Sequence, residues 1–291
     1  MRVLLAGFLA CAALCGCGKE TSGRTPVTLY EVAHSIFYAP QYAAIELGYF
    51  QEEGIDLTLV NGAGADKVMT AMLAGDADIG FMGSEASIYT YAQGAEDYAV
   101  NFAQLTQRAG NFLVARQPDP DFTWQKLKGS RVLGGRAGGM PQMVFEYILK
   151  KNGIDPKTDL TMDQSIQFGL TAAAFTSDQS DYTVEFEPFA TGLELEGNGY
   201  VVASLGTDSG YVPYTAYCAK KSYLAMHPDL IQRFTSALQK GMDYVNSHTA
   251  EEIAKTIQPQ FSETPLENIT KIVKRYQDQD TWKENLIFER S

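Results

Sequence analysis

A chain of 291 residues with 35 acidic against 23 basic side chains has a formal net charge of −12. That balance excludes a general nucleic-acid binder, which needs a basic face to neutralise phosphates. With 45% hydrophobic residues and about 270 positions beyond its leader, the chain can bury a large core and is expected to divide into two domains.

The first expected element in chain order is a leader. Arg2 is the only charge before Gly16, and the apolar stretch from Val3 to Leu14 is too short to cross a bilayer as a helix. A secretory signal peptide over residues 1–16 is expected, with residues 17–26 as a polar tether. Its end, Leu14-Cys15-Gly16-Cys17, resembles the bacterial lipobox, in which the last cysteine is acylated and begins the mature protein; Cys11 is a second, weaker candidate. The resemblance implies lipidation at Cys17 and an extracytoplasmic protein anchored to the membrane, held by two or three acyl chains where one would be marginal. Cleavage there removes Arg2 alone and moves the net charge from −12 to −13. Cys218 then has no partner in the folded part and is expected to be a small buried core residue.

Val27 to Val32 is a β-rich run, and a helix follows from Pro40 to Gly48. Ile55 to Val60 alternates as a strand. Asn61-Gly62-Ala63-Gly64 turns the chain into a helix over Asp66 to Ala74, whose buried face carries Val68, Met69, Met72 and Leu73. Asp78 to Met82 is the next strand. After the Pro118-Asp119-Pro120 break a second block repeats the scheme, with Arg131 to Leu133 as strand, Gly138-Gly139-Met140-Pro141 as turn and Gln142 to Lys151 as helix. Alternation of this kind predicts sheets covered by helices. The last stretch is helical: Pro228 to Val245, then two capping boxes, Thr249 with Glu252 and Thr264 with Glu267, the second with Pro265 at the first helical position. Leu266, Ile269, Ile272, Val273 and Tyr276 mark its buried stripe.

Ligands of open α/β sheets sit beyond the carboxyl ends of strands, where loops meet helix starts. Three such junctions stand out: Ser35 to Tyr38, Gly83-Ser84-Glu85, and Gly138-Gly139-Met140. Free backbone N–H groups there are available to polar ligand atoms. The stretch Gly134-Gly135-Arg136-Ala137-Gly138-Gly139 lacks the lysine and hydroxyl residue of a phosphate-binding loop and the spacing of a dinucleotide fingerprint. His34, His227 and His248 have no metal-ligand spacing, so neither a metal nor a cofactor is expected.

The segments His34-Ser35-Ile36-Phe37-Tyr38-Ala39-Pro40-Gln41-Tyr42, Gly48-Tyr49-Phe50-Gln51-Glu52-Glu53-Gly54-Ile55-Asp56, Leu73-Ala74-Gly75-Asp76-Ala77-Asp78-Ile79-Gly80 and Val184-Glu185-Phe186-Glu187-Pro188 together resemble the SsuA/THI5-like (NMT1) group of periplasmic binding proteins. The resemblance covers nearly all of the mature chain. It implies the type II periplasmic-binding-protein fold, two α/β lobes joined by two hinge strands with a ligand cleft between them. Lobe one is expected over residues 27–113 and 217–291, lobe two over 114–216, with hinges near Leu113-Val114-Ala115 and Thr215-Ala216-Tyr217.

The function so implied is the solute-binding component of an ABC importer, a monomer that closes on a small molecule and delivers it to a permease and its ATPase. Candidate cleft residues are Ser35, Phe37, Tyr38, Tyr42, Gly83, Ser84, Glu85, Gly138, Gly139, Met140, Glu185, Glu187 and Tyr211, with Phe81 as a further aromatic wall. Carboxylates at 85, 185 and 187 suit a ligand that donates hydrogen bonds, such as an aminopyrimidine precursor of thiamine stacked on Tyr38; riboflavin and sulfonate- or nitrate-type anions are the alternatives. The group also contains pyrimidine synthases, which carry a lysine, a histidine and a cysteine cluster where this chain has Met82, Tyr38 and residues 209–213. Without a lysine for a Schiff base the chain is expected not to be an enzyme. A ligand-sensing ectodomain is the other possible use of the fold.

Overall fold

The computed structural model describes residues 23–288 except 168 and 178. The expected signal peptide, Cys17 and most of the expected tether lie outside the described residues.

Two mixed sheets of five strands each organise the chain. The first contains β1 (Thr25–Glu31), β2 (Ile55–Asn61), β3 (Ile79–Gly83) and β4 (Ala99–Thr106). The second contains β5 (Phe112–Ala115), β6 (Arg131–Leu133), β7 (Thr161–Asp163), β8 (Tyr182–Glu185) and β9 (Tyr200–Ser204), after which β10 (Thr215–Lys220) returns to the first. The strand orders are β2-β1-β3-β10-β4 and β7-β6-β8-β5-β9. β1 pairs in parallel with β2 and β3, whereas β10 runs antiparallel to β3 and β4. In the second sheet β6 is parallel to β7 and β8, and β5 is antiparallel to β8 and β9. The chain passes between sheets twice, over residues 107–111 and again over 205–214.

This arrangement follows from apolar runs that neither sheet leaves exposed. Every residue of β3 and β5 is buried, as expected of central strands covered on both faces. Cys218 is buried in β10, and burial pushes its thiol up to about 12, so it is inert packing. The helix Pro228–Ser247 buries Leu238, Met242 and Val245 and packs on the helix Ala39–Glu46, its Phe234 reaching Phe102 and Tyr217 of the first sheet, and the helix Leu266–Asp278 buries Ile269, Ile272, Val273 and Tyr276.

Two sequence expectations differ locally from the structure. Leu73 is 39% exposed, and Ala71 takes the inward position in the helix Ala65–Ala74. Thr249 and Glu252 form the expected capping box, but Thr264 caps nothing. Pro265, with φ −55° and ψ 141°, is itself the N-cap, so the helix begins one residue later than a box from Thr264 requires.

Candidate functional site

The carboxyl end of β3 and the end of β8 open on a common cavity of about 370 Å³ lined from both sheets. Tyr38, Gly83, Glu85, Tyr89, Asn111, Tyr214 and Thr215 line one side; Arg136 to Pro141, Thr171, Val184, Glu185, Phe186 and Phe189 line the other. The strand-to-helix junctions at Gly83 to Glu85 and Gly138 to Met140 therefore meet across one space.

Glu85 opens the helix Glu85–Ala92 directly after β3, so its carboxylate lies at the positive end of the helix dipole. Gly83 makes room for it: a Cβ at position 83 would sit 2.1 Å from Glu85 Oε2. The backbone N–H of Met140, at the first position of the helix Met140–Lys151, donates to Glu85 Oε1 at 2.9 Å. Oε2 is buried and, among the described residues, has no hydrogen-bond partner. Burial holds the Glu85 carboxyl above its ordinary pKa range, with the Met140 N–H pulling partly the other way.

Glu185 ends β8 and accepts from the Thr183 hydroxyl at 2.6 Å and the Thr171 hydroxyl at 2.8 Å. Burial pushes its carboxyl up to about 7 against those two bonds. At the mouth, Arg136 reaches Asp66 with both terminal nitrogens, at 2.7 and 3.0 Å. The guanidinium holds the Asp66 carboxyl below its ordinary range. Among the described residues lining the cavity, Arg136 is the one cation, and Asp66 already engages it.

The structure gathers seven of the expected residues around the cavity: Tyr38, Gly83, Glu85, Gly138, Gly139, Met140 and Glu185. Tyr38 is packed edge-on against Phe81, with ring centroids 4.5 Å apart. Gly138 has φ +88°, a conformation that favours glycine. Two of the donors expected to be free at this turn are engaged within the protein: Gly138 N–H donates to Gln142 and Met140 N–H to Glu85.

Six others do not line it. Ser35 caps the turn Ile36–Tyr38 and donates to the Glu187 carbonyl at 2.7 Å. Phe37 is buried in an aromatic cluster with Tyr38, Phe186, Tyr214 and Tyr276, and the Tyr42 hydroxyl donates to buried Glu31 at 2.8 Å. The Ser84 hydroxyl donates to the Pro213 carbonyl. Glu187 lies past the end of β8, where the strand's alternation stops, and Arg275 and Thr191 hold its carboxylate. Tyr211 is 64% exposed, with its hydroxyl donating to Asp280 and its ring 4.1 Å beneath the Arg108 guanidinium. Phe81, the further aromatic, stacks on Tyr217 in the core.

Sequence reasoning missed Asp66, Arg136, Thr171, Phe186, Phe189 and Tyr214 as lining residues. The junction rule reaches Thr171, which opens the helix Thr171–Ser177 after β7, but β7 has only three residues, too few to mark a strand by alternation.

Two α/β lobes with a cavity between them, connected as above, form the type II periplasmic-binding-protein fold. The alkanesulfonate-binding protein SsuA of Xanthomonas axonopodis pv. citri, solved bound to MOPS, shares that fold with a TM-score of 0.70 and 18% identity, over 86% of this chain and 83% of that one. The NMT1/THI5 like family matches residues 36–252, and the chain belongs to that family. YtlA of Bacillus subtilis (strain 168), provisionally named a binding protein, is 46% identical over 270 residues, 93% of this chain and 80% of YtlA. The 4-amino-5-hydroxymethyl-2-methylpyrimidine phosphate synthase of Legionella pneumophila is 25% identical over 79% of this chain and 72% of that enzyme.

Proposed function

We propose that the chain is the extracytoplasmic solute-binding component of an ABC importer, and that its ligand is a small flat nitrogen heterocycle bearing N–H donors, such as a pyrimidine precursor of thiamine. The observation that carries this reading is the pair of buried carboxylates, Glu85 and Glu185, in a cavity whose lining cation is already engaged by Asp66. An anion brought against them opposes their ionisation, whereas a ligand that donates N–H groups meets carboxyl acceptors and favours their ionised form. Tyr38, Phe186 and Tyr214 line the same cavity and supply aromatic surface for a flat ring.

In this reading lobe one carries the first sheet and lobe two the second, and the boundaries expected near residues 113 and 216 shift to the chain crossings at residues 107–111 and 205–214. The lobes close about those crossings, and the closed monomer docks on the permease. Turnover is not part of the reading, because Met82 has no amine for a Schiff base where the related synthases carry a lysine. Incubation with 4-amino-5-hydroxymethyl-2-methylpyrimidine, the heterocycle named in the Legionella enzyme, is expected to raise the melting temperature and return the compound intact by mass spectrometry. A chemically altered product would refute the receptor assignment.

The same proposal anchors the protein through Cys17. Cys17→Ser is expected to abolish incorporation of labelled palmitate and to release the protein from the membrane fraction. Unchanged label and fractionation would remove the site.

A further inference from the structure

Glu85 occupies a position that ligand contact alone does not require. It is 4% exposed, and its two oxygens stand in different situations. Oε1 takes the Met140 N–H at 2.9 Å, a bond from the lobe-two helix start to the lobe-one helix start, while Oε2, on a residue that lines the cavity, is buried without a partner among the described residues. One carboxylate thus bonds across the two lobes and belongs to the cavity lining.

We infer that Glu85 couples ligand to closure: Oε1 straps lobe two through the Met140 N–H, and Oε2 accepts an N–H from the ligand that makes the strapped state favourable. This rests on the receptor reading above and assigns the element through which that receptor senses its ligand. Bringing Met140 onto Glu85 strips water from the carboxylate, and a buried acceptor without a partner costs more than one hydrogen bond returns. A ligand donor at Oε2 removes that cost in the closed form only. Such differential stabilisation is what shifts an equilibrium, since equal affinity for open and closed forms shifts nothing. The Asp66–Arg136 pair at the mouth also crosses the cleft, but it is solvent-exposed and contributes little by itself.

The strap can be cut without touching Glu85. Met140 is the first residue of its helix, where proline is accommodated, and Gly139 before it is already extended at φ −109°, ψ 167°. Met140→Pro removes the donor, and Met140→Ala keeps it while making a comparable change in the side chain. The test is calorimetry and small-angle scattering with 4-amino-5-hydroxymethyl-2-methylpyrimidine. In the unaltered protein and in Met140→Ala, the probe is expected to reduce the radius of gyration. In Met140→Pro, affinity should fall about tenfold relative to Met140→Ala and the compaction should be lost. Equal affinity and compaction in the two variants overturns the coupling.

Amide exchange at Met140 in the unaltered protein gives a second measure that does not depend on how the proline variant folds. Exchange should slow at least about tenfold when the probe binds; binding without slowing overturns the coupling and leaves the receptor assignment standing. Absence of any heat with the unaltered protein overturns the proposed ligand, and this inference with it, before any variant is made.

Discussion

Glu85→Gln is expected to lower affinity for 4-amino-5-hydroxymethyl-2-methylpyrimidine about 100-fold, the scale of losing a charge-assisted hydrogen bond in a desolvated site and leaving two donors facing one another. The glutamine carbonyl can still accept from Met140, which places the amide NH₂ where the carboxylate holds the buried, unpartnered Oε2. The fold should be unaffected, since a neutral amide replaces a carboxylate that burial already disfavours. Calorimetric titration of both proteins checks this, with thermal unfolding as the control. Unchanged affinity in the variant would mean that Oε2 does not meet the ligand.

A second large effect concerns stability against pH. Burial pushes Glu185 up to about 7, whereas in an unfolded chain a glutamate titrates near its ordinary value, about 4.3. Between those values the folded state binds a proton that the unfolded state does not. The contribution is therefore fully present below the unfolded value and is lost as pH rises through about 7, with a total size of about 4 kcal/mol. Unfolding free energy from urea titrations should fall between about pH 5 and about pH 8, and Glu185→Gln should flatten much of that fall. Glu85, raised in the same direction, leaves a residual slope of the same sign in the variant. An identical slope in both proteins would show that Glu185 does not titrate in this window.

The parts of the site that were legible in the sequence are those set by local chain geometry. Gly83 to Glu85 and Gly138 to Met140 are strand-to-helix junctions, and the order of apolar runs, glycines and helix starts locates them without knowledge of the sheets. Glu185 is reached through the resemblance of residues 184–188 to the family's segment, not through local alternation, and it stands at the end of β8. Glu187 shows where such reasoning stops. Alternation places residues 185 and 187 on one face, but β8 ends at Glu185, and the partner that holds Glu187 is Arg275, on a helix 88 positions away.

Phe37 and Tyr42 were read as cleft walls because they flank the junction at Tyr38. The turn Ile36–Tyr38 and the helix after it direct both inward, and no local signal separates a buried aromatic from one facing a cavity. Asp66 and Arg136 were each visible as charges, but their pairing exists only once the two lobes face each other. The sequence resemblance and the junction rule point to the same cleft, and the distance relations across it come from the tertiary structure alone.

The most direct test of an acidic, donor-selecting cleft is a calorimetric competition in the unaltered protein between 4-amino-5-hydroxymethyl-2-methylpyrimidine and MOPS, the compound bound in the Xanthomonas SsuA structure. The expected result is saturable heat with the aminopyrimidine that an excess of MOPS does not displace, because among the described residues the one lining cation, Arg136, is already engaged by Asp66. Tight binding of MOPS, with displacement of the aminopyrimidine or no binding of it at all, would contradict the account.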